Sequence, residues 1–494
     1  MNNKIKWSIT IFLVISLVLG MFACKQEADP DAPEEVLSLG DLVALSTDSM
    51  YSQVKESLAD KDAAYESMFG RSANRSVIRA GETASDEPVT LKVLGYAWGE
   101  DHLDNIFNKF IEKYPNVTIE KEILAGENYH NKVKEYTDEN LVHVAMMGSD
   151  VRHGKNWAGK QVNIKADLEP GYYHIGSFPR GNNGEIYYVP DGAKNLCSVV
   201  VINMELLNQI GGKVPENYDD LVDLAALCES KGIDCLTAFG GTAWRWGTDI
   251  FSPIVARTTG DANWVQKVAK GNAKFTDAGF VAALEAVKKY FDDGIFNKSI
   301  LTLDSDNLPD PDAKFEKLTS GKTLMFTCEQ SDLSKYSLGE DLSNYKLLPF
   351  MPVYGEKNNM RFCVAAADNI GWGITVATNT DSAVREAAIN LVKFATNVEN
   401  ATKKVEDGAV TGPVVQSLYQ KPIEDFGTLA TQKMFILEKY KNVDVIDAYL
   451  PQEINDVLFN AVKDMVLNGK TATEAAQDVQ TAYDAMKCNL DKLG

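Results

Sequence analysis

A chain of 494 residues, 45% hydrophobic and 24% charged, is too long for one hydrophobic core and has the composition of a soluble globular protein. Its formal net charge of −21 leaves no basic surplus to displace counterions from phosphates, so nucleic acid is excluded as a partner. The same balance disfavours anionic ligands overall and suits a neutral or cationic solute.

Lys4 and Lys6 precede an apolar run from Ser8 to Phe22 that is short for a membrane span and reads as a signal segment over 1–23. Met21-Phe-Ala-Cys24 is similar to the bacterial lipoprotein box, although Met21 and Phe22 are looser than usual there. That likeness implies that Cys24 carries acyl chains such as palmitate and becomes the new N-terminus. Ordinary cleavage leaving a free Cys24 is the alternative. The other cysteines are Cys197, Cys228, Cys235, Cys328, Cys363 and Cys488, with no C-x-x-C and no zinc spacing. Cys228 and Cys235 enclose the turn "ESKGID" and are the favoured disulfide in an exported protein; buried free thiols are the alternative.

Residues 24–88 read as an acidic and helical tether. Asp29-Pro-Asp-Ala-Pro-Glu-Glu is acidic and proline-broken, and Leu42, Leu45, Tyr51, Val54 and Leu58 recur loosely at helical spacing. "GRSANRSVIRAGETASDEP" then reads as a linker. The expectation is a spacer that can be removed without loss of function.

The globular part opens at Val89-Thr-Leu-Lys-Val-Leu-Gly95, a strand, followed by a helix from Leu103 to Tyr114 and a strand from Val117 to Ile123. Strand, helix and strand at this spacing make a βαβ unit, hence an α/β protein with parallel strands. Ligands of such sheets lie beyond the strand carboxyl ends, which singles out Trp98, Glu100 and Asp101. Ile186–Val189, Cys197–Ile202 and Leu236–Phe239 read as buried strands. Asn217 with Asp220 starts a helix; Ile454, Leu458, Ala461, Val462 and Met465 form one apolar face; Gly469 stops that helix and Thr471 with Glu474 opens the last.

In order, "VTLKVLGYAWGED", "FNKFIEKYPNVTIE", "EIYYVPDGAKNLCSVVVIN", "VPENYDDL", "FEKLTSGKTLMFTCEQSD", "NIGWGITVATNT" and "LFNAVKDMVLNGKTATEAAQDVQ" resemble the extracellular solute-binding protein family 1 of ABC importers, the group of maltose- and other sugar-binding proteins. Val201-Ile202-Asn203 departs from that family's Tyr-Tyr-Asn, and Tyr218 from its Trp. The resemblance covers about residues 89–490. It implies a two-lobed periplasmic-binding-protein fold, type II-like, each lobe a mostly parallel sheet flanked by helices, joined by a multi-strand hinge. It also implies crossings near Cys197, Thr327 and Thr378, hence lobes of 89–196 plus 327–378 and 198–326 plus 379–494. The implied function is a lipid-anchored, monomeric binder of a sugar or oligosaccharide, delivering it to a membrane permease without making or breaking a bond and without a cofactor.

A sugar cleft needs flat aromatic faces and bidentate polar groups. "GGTAWRWG" supplies Trp244 and Trp246 around Arg245; Trp244 is the ring expected to face solute, and core rings with a snorkelling Arg245 are the alternative. Asp150 and Arg152 resemble the family's second cleft loop, and Glu329 with Gln330 follows a strand near an implied crossing. Gly371-Trp372-Gly373 sets a ring where backbone could approach a ligand. Other chemistry fails on spacing. Glu316 stands where a phosphate loop ending at Gly321-Lys-Thr323 needs glycine, and Leu308 and Pro309 interrupt the acidic run Asp304–Asp312. The histidines between His102 and His174 lack a metal motif, and there is no G-x-S-x-G. A glycosidase carboxylate pair is defined only in space, so an exported glycan-active enzyme remains a rival, as does a tethered interaction protein.

Overall fold

The computed structural model describes residues 37–54, 56, 87–96 and 100–492, except 125–127, 130–131, 134, 137–138, 149–156, 158, 169–171, 174–184, 193, 306–314, 334–337, 339–342 and 420–426. Residues from Ser38 onward form one compact unit.

The first sheet has the order β2-β1-β3-β11-β4, from β1 (Val89–Tyr96), β2 (Val117–Leu124), β3 (Val144–Met147), β4 (Tyr188–Pro190) and β11 (Gly371–Ile374). β1 runs parallel to β2 from Val89 opposite Val117 to Tyr96 opposite Leu124, as the βαβ pattern predicts. Alternation assigns the faces. Leu91 and Val93 join Ile106, Phe107 and Phe110 of the helix Glu100–Lys113 on one side, while Leu94 packs with Ala145, Met147 and Trp157 on the other.

The second sheet, β7-β8-β6-β9, comprises β6 (Val199–Asn203), β7 (Asp234–Ala238), β8 (Thr323–Cys328) and β9 (Tyr345–Leu348). β6 and β8 are buried along their whole length, which is why "VVVIN" and "TLMFTC" read as continuous rather than alternating runs. Asn217 caps the helix Tyr218–Ser230 through the Asp220 N–H, and Gly469, at φ 73°, ends the helix Ile454–Asn468. Thr471 and Glu474 bond each other's backbone N–H at 3.2 and 3.0 Å, a reciprocal cap.

A small third sheet, β12-β10-β5, is built from β5 (Asn195–Leu196), β10 (Cys363–Ala367) and β12 (Lys441–Val443). The chain passes from β4 through β5 to β6, and back from β9 through β10 to β11. Cys197 lies between β5 and β6 on the first passage. The stretch 327–378, expected in the first lobe, does not run straight from β8 into the first sheet. β8 instead turns and returns as β9, which pairs antiparallel with β6, so 345–348 belongs to the second sheet. The helix Ser382–Ala395, placed by the sequence with the second lobe, buries Ala388, Leu391 and Val392 in the core of the first sheet. Its apolar face decides that, and family order alone could not.

Part of the expected tether packs on the fold, while 24–36, 55 and 57–86 lie outside the described residues. Leu39, Leu42, Met50 and Val54 are buried, and the helix Leu39–Ala44 lies against β9. Glu216 accepts the N–H groups of Leu39 (3.2 Å) and Gly40 (2.5 Å), and Lys346 donates to the Leu45 carbonyl at 3.2 Å. A side chain at Gly40 would meet Glu216 Oε1 at 2.8 Å, which explains the glycine. Residues 38–54 therefore cover an edge strand that would otherwise present open hydrogen-bonding groups. Gln432 helps by accepting the Leu347 N–H at 2.8 Å.

Candidate functional site

β7 ends at Ala238 and leads directly into Gly240-Gly-Thr-Ala-Trp-Arg-Trp-Gly247. The first two glycines serve chain packing: a Cβ at Gly241 would lie 2.8–2.9 Å from the backbone of Thr302 and Leu303, and one at Gly240 3.0 Å from the Ile300 carbonyl oxygen. A short helical turn, Ala243–Arg245, then widens into a π-helical turn, Trp246–Phe251. Such widened turns cost regular hydrogen bonding and recur at functional sites.

The three candidate residues of this stretch separate. Trp246 is fully buried, donates its indole N–H to the Gly240 carbonyl at 3.0 Å and stacks near Phe459; it is a core ring and no ligand contact. Arg245 is also buried, and its fork is already used. It grips Asp332 bidentately (2.5 and 2.9 Å), reaches Asp249 at 3.1 Å and donates from Nε to Ser305 at 3.4 Å. The expected hydroxyl-binding fork is instead engaged with buried carboxylates. Burial alone would lower the Arg245 pKa, but Asp332, Asp249 and Glu329 hold it above its ordinary value. Burial pushes Asp249 well above the carboxylate range despite Arg245.

Trp244 is only half-buried, and the Arg245 guanidinium lies over its ring at 4.0 Å. The cation–π contact orients the indole while part of it still reaches solvent. Behind Arg245, Glu329 is half-buried, accepts from the Ser331 hydroxyl, and shares a reciprocal cap with Asp332. Gln330 is buried and structural: its amide donates to Asn195 Oδ1 (3.2 Å) and the Ala409 carbonyl (3.0 Å). Lys433, also buried, donates to the carbonyls of Gln330 (2.8 Å), Leu333 (2.8 Å) and Gly408 (3.2 Å), and burial lowers its pKa to about 7. Gln330's bond to Asn195 of β5 ties the turn after β8 to the first passage between the sheets, and the bonds to Gly408 and Ala409 tie it to the segment after the helix Val398–Glu406.

Trp372 proves to be core. It is fully buried, meets Phe107 edge-on and donates its indole N–H to Asp191 at 2.8 Å, while Lys404 also donates to Asp191. A Cβ at Gly371 would lie 2.0 Å from the Val189 carbonyl oxygen, so that glycine clears the neighbouring strand and not a ligand. Cys228 and Cys235 are buried free thiols in contact, with the Cys235 pKa raised by its hydrogen bond to Cys228 and then by burial; the expected bridge is not formed. Glu100 and Asp101 open the helix Glu100–Lys113, where acidic residues suit the helix dipole, but their side chains are outside the described set. Cys24, Trp98, Asp150 and Arg152 also lie outside the described residues.

Sequence reasoning missed Asp249, Asp332, Asp191, Lys404 and Lys433. An arginine with an aspartate four residues on was a usable signal for Asp249. Nothing local points from Arg245 to Asp332. Among the described residues there is no group of three or more acidic, Cys or His side chains placed to hold a metal, and no helix long and apolar enough to cross a membrane.

Residues 105–434 match the model of the bacterial extracellular solute-binding protein. The chain belongs to that family. It is accordingly an exported solute-binding protein and not an enzyme. No curated protein matches the sequence. Solved structures do. A protein from a study of xylan utilization by Caldanaerobius polysaccharolyticus aligns at TM-score 0.62 and 19% identity, covering 80% of this chain and 99% of that one. A maltose-bound T. maritima MalE3 gives 0.63 and 16%, covering 81% and 100%. A probable secreted solute-binding lipoprotein from Streptomyces coelicolor gives 0.63 and 18%, covering 81% and 99%. The two-lobed α/β fold is therefore that of the binding proteins.

Proposed function

We propose that the protein captures a sugar or oligosaccharide between two lobes built on its two main sheets, holds it against Trp244, and hands it to a membrane permease. The observation that carries the reading is the half-buried Trp244 ring, oriented by Arg245 at 4.0 Å at the end of a strand. A preset aromatic face stacks on the C–H patches of a pyranose with little entropy lost. Neighbours of the same fold carry maltose or chitin oligosaccharide in their descriptions, which supports this choice of solute. The bond from Gln330 to Asn195 of β5 links the turn behind the site to the first passage between the sheets, where a hinge would lie. The lobe boundaries follow the sheets: the first from β1 to β4 with β11 and the helix Ser382–Ala395, the second from β6 to β9 with the last helices. In this reading Cys24 is the lipidated residue and the chain acts as a monomer.

A melting-temperature screen of residues 25–494 against neutral, amino and acidic oligosaccharides tests the solute, since any ligand of the folded state raises the midpoint. No shift with any of them would refute sugar binding. Cys24→Ser should release the protein from the membrane fraction; continued membrane association would refute the anchor.

A further inference from the structure

The order of the chain would tie its N-terminus to the first sheet, because β1 opens at Val89. Residues 38–54 intervene, and the groups that hold them belong to the second sheet and its helices. The helix Leu39–Ala44 lies against β9, and Lys346 of β9 donates to the Leu45 carbonyl at 3.2 Å. Glu216 accepts the N–H groups of Leu39 and Gly40 at 3.2 and 2.5 Å. It stands just before the helix Tyr218–Ser230, which packs on β7. Four buried apolar side chains, Leu39, Leu42, Met50 and Val54, add a packed contact to these bonds. The segment is therefore part of the second sheet's layer, although it precedes the first sheet in sequence.

We propose that this docked segment makes the second lobe the membrane-held lobe. The inference rests on the lipid-anchored, two-lobed reading above and adds which lobe carries the anchor. Ser38 stands 14 positions after Cys24, and even a fully extended chain of that length reaches no more than about 50 Å. With residues 38–54 released, the leash would run the 65 positions from Cys24 to Val89, could reach more than about 200 Å, and would end on the first lobe. Docking thus shortens the leash and moves its end from one lobe to the other. The shorter leash also raises the effective concentration of the protein at a permease in the same membrane.

Fluorescence energy transfer on the full-length acylated protein in phosphatidylcholine vesicles, with an acceptor dye on a small fraction of the headgroups, tests this. The donor dye goes on the first lobe through Glu112→Cys or on the second through Asp223→Cys, both exposed helical positions, with Cys488→Ser in the background. The cysteines from Cys197 to Cys363 are buried and would not compete for the dye. Transfer should be at least roughly twofold stronger from position 223 than from position 112, because the leash holds that lobe within about 50 Å of the bilayer. Gly40→Val with Leu42→Asp alters only the segment: a Cβ at Gly40 would meet Glu216 Oε1 at 2.8 Å, and Leu42 is buried. That pair should weaken transfer from both positions and erase the preference. If the pair folds poorly, the comparison of the two positions with the segment intact still decides. Equal transfer, or stronger transfer from position 112, would overturn the inference and leave the anchor in place. A preference that survives the paired substitution would place its origin outside the segment and overturn it too. Failure to attach to vesicles would overturn the lipid anchor and the inference with it.

Discussion

Trp372 and Trp244 looked alike as sequence, each an aromatic ring in a glycine-marked segment next to a strand, and the fold uses them in opposite ways. Trp372 is sealed between sheet and helix; its N–H is spent on Asp191 Oδ1, and the buried Lys404 donates to the same oxygen. Trp244 has the charge on its face instead of its edge: Arg245 lies over the ring, and Asp332 anchors Arg245. In the first arrangement the polar partners let a large ring be buried without an orphaned donor. In the second they hold a ring steady that is not fully buried. What separates the two is the neighbour that the flanking glycines clear. Gly371 clears an adjacent strand, which commits the ring to the sheet, whereas Gly240 and Gly241 clear a loop and leave Trp244 beyond the packed layer.

The sharpest test of this contrast is Trp372→Ala. It should lower unfolding free energy by about 3–5 kcal/mol, the scale for removing a buried Trp, with solute affinity of the folded fraction preserved. Urea titration and calorimetry would read both. A stable variant with weakened binding would reverse the assignment and put Trp372 in the site.

Asp332→Ala comes next. It strips Arg245 of its bidentate partner, leaving the bonds to Asp249 and Ser305, and should cost about 3 kcal/mol of stability. Because the main loss is an uncompensated charge, adding Arg245→Met should restore much of it. A double variant no better than the single would show that Asp332 acts through packing instead.

The elements themselves were legible because they rest on local pattern. The βαβ opening, the cap at Asn217, the apolar face from Ile454 to Met465 and the glycine stop at Gly469 all fell where periodicity and capping put them. What escaped was whatever depends on partners far along the chain. Arg245 and Asp332 are 87 positions apart, Trp372 and Asp191 181, and Gly40 and Glu216 176. No local signal joins such pairs, so a buried ion pair read as a ligand-binding fork, and a docked segment read as a free tether.

Trp244→Ala should act on binding, not on folding. Affinity for the cognate oligosaccharide should fall by roughly 1–3 kcal/mol, while ligand-free stability moves by less than about 1 kcal/mol, since the ring is only half-buried. Arg245 loses its stacking partner but keeps both aspartates. Unchanged affinity would remove the ring from the site and with it the contrast to Trp372.

The smallest effect concerns two buried lysines, Lys404 and Lys433. Lys404 meets the carboxylate of Asp191, whereas Lys433 meets backbone carbonyls, with Asp332 and Cys328 near enough to favour its charged form weakly. Burial brings Lys433 down from 10.5 to about 7. Below about pH 7 both folded and unfolded chains carry the proton, and the fold bears the full penalty of a buried charge. Between about 7 and 10.5 the unfolded chain holds a proton that the folded chain has lost, so this group makes stability rise with pH there. The contribution is at most about 1.4 kcal/mol per pH unit. Lys433→Met should flatten that slope, seen as the difference between urea titrations at about pH 7 and pH 9. An unaltered slope would mean that the three carbonyls keep Lys433 protonated throughout, and that it resembles Lys404 more closely than its burial suggests.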